Sequence, residues 1–148
     1  MANLVTNKKA GFKYAFLEKF EAGIELLGHE VKAIKSGRGS LEGSYVIVRG
    51  GELFLVGAQV PEYQAGNSSA GYDDRRPRKL LMSKAEIEYL DGKLMREGLT
   101  IVPLSVYNKG QLVKIEIALA KGNKKSDKRE KIKERDSDRE RDRTLKNQ

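Results

Sequence analysis

Residues 102–119, VPLSVYNKGQLVKIEIAL, decide the fold. Val102, Leu104 and Val106 alternate along the first half, Asn108-Lys109-Gly110 turns the chain, and Val113, Ile115, Ile117 and Leu119 alternate again against Lys114 and Glu116. A period of two sends apolar side chains to one face of a pleated strand and polar ones to the other. The stretch therefore predicts an antiparallel hairpin with one buried face and with Lys114 and Glu116 turned outward. Upstream, Tyr45–Arg49 and Leu53–Val60 flank Gly50-Gly51, a two-residue hairpin signal. Between Phe16 and Leu26, the side chains of Phe16, Phe20, Ala22, Ile24 and Leu26 share one face, while Lys19, Glu21 and Glu25 share the other. Together these runs predict five or six antiparallel strands.

Helices interrupt the strands. Ser83-Lys84-Ala85-Glu86 has the form of a capping box, Ile87, Leu90 and Leu94 follow at helical spacing, and Gly98 supplies a stop. A shorter helix is expected over about Glu30–Ser36, ending at Gly37-Arg38-Gly39. The fold class is mainly β (α+β): a small closed antiparallel OB-like β-barrel of about six strands with two or three flanking helices, an arrangement that leaves no strand edge exposed. An open α+β sandwich is the alternative. Pro61 to Lys79 has no periodicity, and its Arg75–Lys79 cluster reads equally as a phosphate clamp or as a solvated loop neutralised by Asp73 and Asp74.

Charge divides the chain of 148 residues. Of its net charge of +8, residues 1–120 carry +3, and residues 121–148 carry +5 from 12 basic and 7 acidic side chains, with only Ile132 and Leu145 as large apolar groups. Such a segment cannot bury enough surface to offset its ordering entropy. The expected organisation is a barrel over 1–120 and a basic tail over 121–148 that is disordered when free. Wound as a helix, the tail puts Glu130, Glu134, Asp138 and Asp142 on one stripe and Lys131, Arg135, Arg139 and Arg143 on the next, so it becomes helical only on a partner. An excess of Lys and Arg favours a polyanion partner through counterion release.

Much catalytic chemistry has no residues to carry it. Cysteine is absent, which excludes disulfides and thiolate metal sites, and His29 is the single histidine, too few for a histidine-ligated zinc centre. It reads as a helix-start or surface histidine. No phosphate-binding loop motif occurs, and Gly37-Arg38-Gly39-Ser40 is only a fragment of one. Glu21 and Glu25 read as solvated strand carboxylates rather than an acid–base pair. No apolar leader or membrane-spanning run occurs, so a soluble cytoplasmic protein with no cofactor and no metal is expected. The chemistry on offer is binding.

Several blocks point to one family when taken together and in order: Asn7-Lys8-Lys9-Ala10, Phe20-Glu21-Ala22-Gly23, Gly28-His29-Glu30-Val31-Lys32, Ser44-Tyr45-Val46 and Arg78-Lys79-Leu80-Leu81. They continue with Glu97-Gly98-Leu99-Thr100-Ile101-Val102-Pro103-Leu104, Ala118-Leu119-Ala120-Lys121-Gly122 and Asp127-Lys128-Arg129-Glu130-Lys131-Ile132-Lys133-Glu134-Arg135. The chain resembles the bacterial tmRNA-binding family, small protein B. The resemblance implies a six-stranded OB-like barrel that binds the tRNA-like domain of tmRNA in place of the missing anticodon arm. It also implies trans-translation: delivery of that RNA to stalled ribosomes, with the basic tail in the decoding site and the empty mRNA channel.

The partners implied are tmRNA and the ribosome's small-subunit decoding centre with its ribosomal RNA. Elongation factor Tu and alanyl-tRNA synthetase would act on the same tmRNA. The protein itself would be a monomer that catalyses nothing. Carried over position by position, the tmRNA-binding residues are Glu21, Leu81, Ser83 and Lys114, with Lys8 and Lys9. The tail residues are Lys121, Gly122, Lys124, Lys125, Asp127, Lys128, Arg129, Lys131, Lys133 and Arg135. Ser83 stands where the family has asparagine, and Gly11-Phe12 where an Arg-His pair is frequent. Glu21 and Lys114 both fall on outward strand positions, where a carboxylate can accept from base edges or 2′-hydroxyls and an ammonium can meet a phosphate. Two other classes stay open on the residues alone. One is an OB-type ribosomal-RNA binder that works without tmRNA, and the other is an adaptor that takes acidic proteins through its tail.

Overall fold

A computed structural model describes residues 3–63 and 71–122. In chain order its elements are β1 (Asn3–Thr6), α1 (Ala10–Lys13), β2 (Tyr14–Ile24), α2 (Gly28–Lys35) and β3 (Tyr45–Arg49), then β4 (Glu52–Val56), β5 (Arg78–Leu81), α3 (Lys84–Glu97), β6 (Thr100–Lys109) and β7 (Leu112–Gly122). The hairpin that opened the sequence reading is present. β6 and β7 pair from Thr100 opposite Ala120 to Lys109 opposite Leu112, and the turn passes through Gly110 at φ 64°, a left-handed conformation that glycine adopts without penalty. Gly50 and Gly51 likewise turn at positive φ between β3 and β4.

The strands run β6-β3-β4-β5-β2-β7 and close because β6 also pairs with β7, which makes a ring of six strands. This is the closed barrel, and it overturns the open sandwich. A further strand, β1, adds to the outside of β6; neither β1 nor the four-residue α1 announced itself in the sequence. Inside the ring, Leu53, Leu55, Leu80, Ile101, Ile115, Ile117 and Leu119 form the core, and it is capped by Leu90 of α3 and by Ala33 and Ile34 of α2. α3 starts on the Ser83 hydroxyl, which accepts from Glu86 N–H at 3.2 Å, and stops at Gly98 in the left-handed region. Both ends agree with the sequence reading.

Strand pairing corrects the simple alternation in three places. A bulge between Pro103 and Ser105 puts Leu104 out of register, so Val102 lies opposite Ala118 on the outer face while Val106 lies opposite Ile115 on the inner one. A bulge between Phe16 and Glu18 does the same in β2: Phe16 faces outward opposite Ala120, and Phe20 and Ala22 face inward opposite Ile117 and Ile115. β4 ends at Val56 rather than Val60, because Gly57 takes φ 88° and turns the chain. Val102, Ala118 and Ala120 are nevertheless buried. The chain from Asn7, bonded to the Leu104 and Pro103 carbonyls, to Tyr14, opposite Gly122, must cross that outer surface. β7 itself reaches Lys121 and Gly122, opposite Ala15 and Tyr14, so it runs into the segment expected as tail.

Candidate nucleic-acid interface

Residues directly opposite in antiparallel strands point to the same face of a sheet. Leu81 of β5 stands opposite Gly23 of β2, Gly23 opposite Lys114 of β7, Lys114 opposite Tyr107 of β6, and Tyr107 opposite Asn3 of β1. One outward row thus crosses five strands. The next row along is Glu21, Glu116 and Ser105. Gly23 sits between Leu81 and Lys114 in the first row, and a Cβ there would lie 3.3 Å from the Leu81 Cβ. Its bare backbone gives room to Leu81, an apolar side chain that is 48% exposed.

Next to this row an open depression is lined by Asn3, Lys19, Phe20, Glu21, Ser105, Tyr107 and Glu116. Glu21 is its chemical centre. The Tyr107 hydroxyl donates to one carboxylate oxygen, and Lys109 Nζ donates to the other at 2.9 Å. The hydrogen bonds from Tyr107 and Lys109 hold the Glu21 carboxyl below its ordinary pKa, assisted by the charges of Lys109 and Lys114. Burial, and then the same contact with Glu21, pushes the Tyr107 hydroxyl the other way, well above its ordinary value. Two like charges directly opposite across a strand pair repel. Glu21 opposite Glu116 is such a pair, and the surrounding Tyr107, Lys109 and Lys114 offset it.

The fold therefore brings Glu21, Leu81 and Lys114 to one face. Ser83 follows just beyond Leu81, but its hydroxyl both accepts from Glu86 N–H and donates to Glu86 Oε1 at 3.1 Å, so it is committed to the helix cap. Lys8 and Lys9 lie elsewhere, past Asn7 and further back along β6, with Lys9 ion-paired to Glu42 at 3.4 Å. Lys121 and Gly122 end β7, and Lys124, Lys125, Asp127, Lys128, Arg129, Lys131, Lys133 and Arg135 are outside the described residues. Residues 64–70 of the aperiodic stretch are outside them too. Tyr107 and Lys109 were missed in the sequence, although the signal existed: a hairpin turning at Gly110 sets Tyr107 opposite Lys114.

The Arg75–Lys79 cluster is a different object from either sequence reading. Lys79 and Arg78 belong to β5, and Arg78 is fully buried. Its Nε and Nη2 donate to Glu30 Oε2 at 3.1 and 2.7 Å, and Arg76 donates to both oxygens of the same carboxylate at 3.0 and 2.5 Å. The Leu27 N–H and the Tyr72 hydroxyl complete the shell around Glu30 at 2.7 and 2.9 Å. The partner is thus Glu30, not Asp73 or Asp74, and no phosphate clamp is available from Arg78. Lys79 pairs with Glu52 at 2.5 Å. His29 sits in the first turn of α2 with its ring edge-on to Tyr72 at 4.6 Å. Arg38 of the glycine-flanked fragment donates to the Glu62 and Tyr63 carbonyls and lies over the Tyr63 ring. Glu25 stands away from Glu21, in a separate groove with Glu52, Phe54 and Lys79.

Residues 4–147 match the family model described as SmpB protein. The "SsrA-binding protein" of Sphingopyxis alaskensis is 49% identical over 141 residues, covering 95% of this chain and 87% of that protein. The protein of the same description from Thermosipho africanus is 48% identical over 140 residues, covering 94% and 93%. A solved structure described as "tmRNA-SmpB: a journey to the center of the bacterial ribosome" superposes with a TM-score of 0.68 at 39% identity, covering 86% of this chain and 92% of that one. A family match over nearly the whole chain, joined to a six-stranded ring that carries Glu21, Leu81 and Lys114 on one outer face, places this chain in the SmpB protein family.

Proposed function

We infer that the chain binds the tRNA-like domain of tmRNA and carries it to stalled ribosomes for trans-translation. The observation that carries this reading is the row of Leu81, Gly23, Lys114 and Tyr107, with Glu21 beside it. A rigid sheet offers there an acceptor, a cation and an apolar contact at fixed spacing. Single-stranded loops and bends of RNA present the matching groups, namely 2′-hydroxyl and amino donors, phosphates and base faces. Ser83 contributes by holding the start of α3 beside Leu81, and Lys8 and Lys9 add a separate phosphate contact. The chain works by binding and carries out no reaction of its own.

The charged residues beyond Gly122 supply the ribosomal half of the function, with Lys124, Lys125, Asp127, Lys128, Arg129, Lys131, Lys133 and Arg135 in the decoding site and mRNA channel. Full-length protein, and protein ending at Gly122 so that β7 stays whole, are titrated with the tRNA-like domain and with an ordinary tRNA at several salt concentrations. Both proteins should prefer the tRNA-like domain by about tenfold or more, a preference worth about 1.4 kcal/mol. The shorter one should show a shallower dependence of log K on log salt and should fail to support tagging. Glu21→Ala and Lys114→Ala in the full chain should each weaken the specific complex by about tenfold. A preference that vanishes as salt rises would leave a generic basic RNA binder.

A further inference from the structure

Glu21 is held from both sides. The Tyr107 hydroxyl donates to one carboxylate oxygen and Lys109 Nζ to the other, so rotating the carboxylate or swinging it out of the depression breaks both bonds. Tyr107 is 8% exposed and anchored in β6 between β1 and β7, whereas Glu21 keeps a third of its side chain open to solvent. We propose that Tyr107 and Lys109 are positioning residues for RNA recognition: they fix the Glu21 carboxylate, charged and aimed across the Lys114–Gly23–Leu81 row, so that its remaining lone pairs accept hydrogen bonds from RNA hydroxyl or amino groups. The inference rests on the RNA-binding reading of this face.

The physical reason is preorganisation. A free glutamate loses rotamer entropy on meeting a ligand, and a carboxylate fixed in advance does not. The charged and titratable groups that face Glu21 come from three strands. Tyr107 and Lys109 of β6 and Lys114 of β7 favour the charged form, Glu116 of β7 stands directly opposite as a like charge, and Lys19 of β2 lines the same depression. Removal of the Tyr107 hydroxyl takes away the strongest of the contacts that favour the charged form, so Glu21 takes up a proton at higher pH and stops accepting from RNA sooner as acid is added. Tyr107→Phe removes that oxygen and changes neither charge nor ring size.

The test is a titration of full-length protein with a transcript of the tRNA-like domain, from pH 7.5 to about pH 4.5, beside an ordinary tRNA. Tyr107→Phe should bind about fivefold more weakly at neutral pH, the worth of one hydrogen bond. Its loss of binding on acidification should begin at higher pH than in the unsubstituted protein. In the Glu21→Gln background the same substitution should change affinity less than about twofold, because positioning acts only through the carboxylate. Lys109→Arg should keep most of the affinity and Lys109→Gln should not, and these variants carry the test if Tyr107→Phe does not fold. Superimposable pH profiles overturn the inference, as does an equal loss with and without the Glu21 carboxylate. If the unsubstituted protein shows no preference for the tRNA-like domain, the RNA-binding reading falls and takes this one with it. If that preference holds while Tyr107→Phe is silent, only this inference fails.

Discussion

Glu30 shows how a single residue can organise a segment far from it in the chain. Burial alone would raise its pKa, but hydrogen bonds from Arg76, the Leu27 N–H and Arg78 outweigh burial and hold it at about 2, down from 4.5. Because the folded value lies below the unfolded one, the contribution to stability is complete above about pH 4.5 and is lost as pH falls towards 2. That lowering corresponds to on the order of 3 kcal/mol. Urea unfolding of Glu30→Gln at neutral pH should show a loss of about 3–5 kcal/mol, since Arg78 is left buried and unpaired. The difference between variant and parent should shrink over the acid window. An unchanging difference down to pH 3 would count against the low pKa. Gly23 carries the second prediction at this scale. Gly23→Val suits a strand but pushes against Leu81, so tmRNA affinity should fall several-fold while the melting temperature holds or rises. Gly23 was legible as a member of a family block, but the neighbour that a Cβ there would crowd was not.

Among the elements, α3 was the most legible, because its signals act within a turn or two. The Ser83 hydroxyl bonds the Glu86 N–H, and Gly98 ends the helix at φ 64°. Ser83→Ala and Gly98→Ala should each lower stability by about 1 kcal/mol, measured by chemical unfolding. The strands were legible as strands but not in their facing. A bulge belongs to a pair of strands, and neither Leu17 nor Leu104 carries a local mark that its partner strand runs one residue short. The consequence reaches the surface: Leu17 is left 54% exposed, and Phe16 points away from the core it was expected to fill.

For the whole molecule, closure of the ring couples elements that are distant in sequence. β2 pairs with β7 along most of its length and with β5 at its end, so the barrel cannot open one strand without loosening its core. Ile117 is fully buried within that core. Ile117→Ala should cost about 2–5 kcal/mol in one cooperative transition. Circular dichroism and the fluorescence of Tyr107 and its neighbours should follow the same curve. Separate midpoints would mean that the β6–β7 hairpin melts apart from the rest.

The hairpins, the capped helix, the charge division and, through blocks spread from Asn7 to Arg135, the family and its RNA-binding role are all written in the order of the residues. Alternation, caps and turns are local, and their energies are set by residues a few positions apart. Tertiary contacts alone settled the pairing of β3 with β6 and of β2 with β5 and β7, which turns the hairpins into a ring, and the place of β1 outside it. They also turned Arg76 and Arg78 onto Glu30 and drew Tyr107 and Lys109 onto Glu21. These contacts join residues separated by 46 to 88 positions. Their partners are selected by strand register and burial, which arise only when the whole barrel has closed.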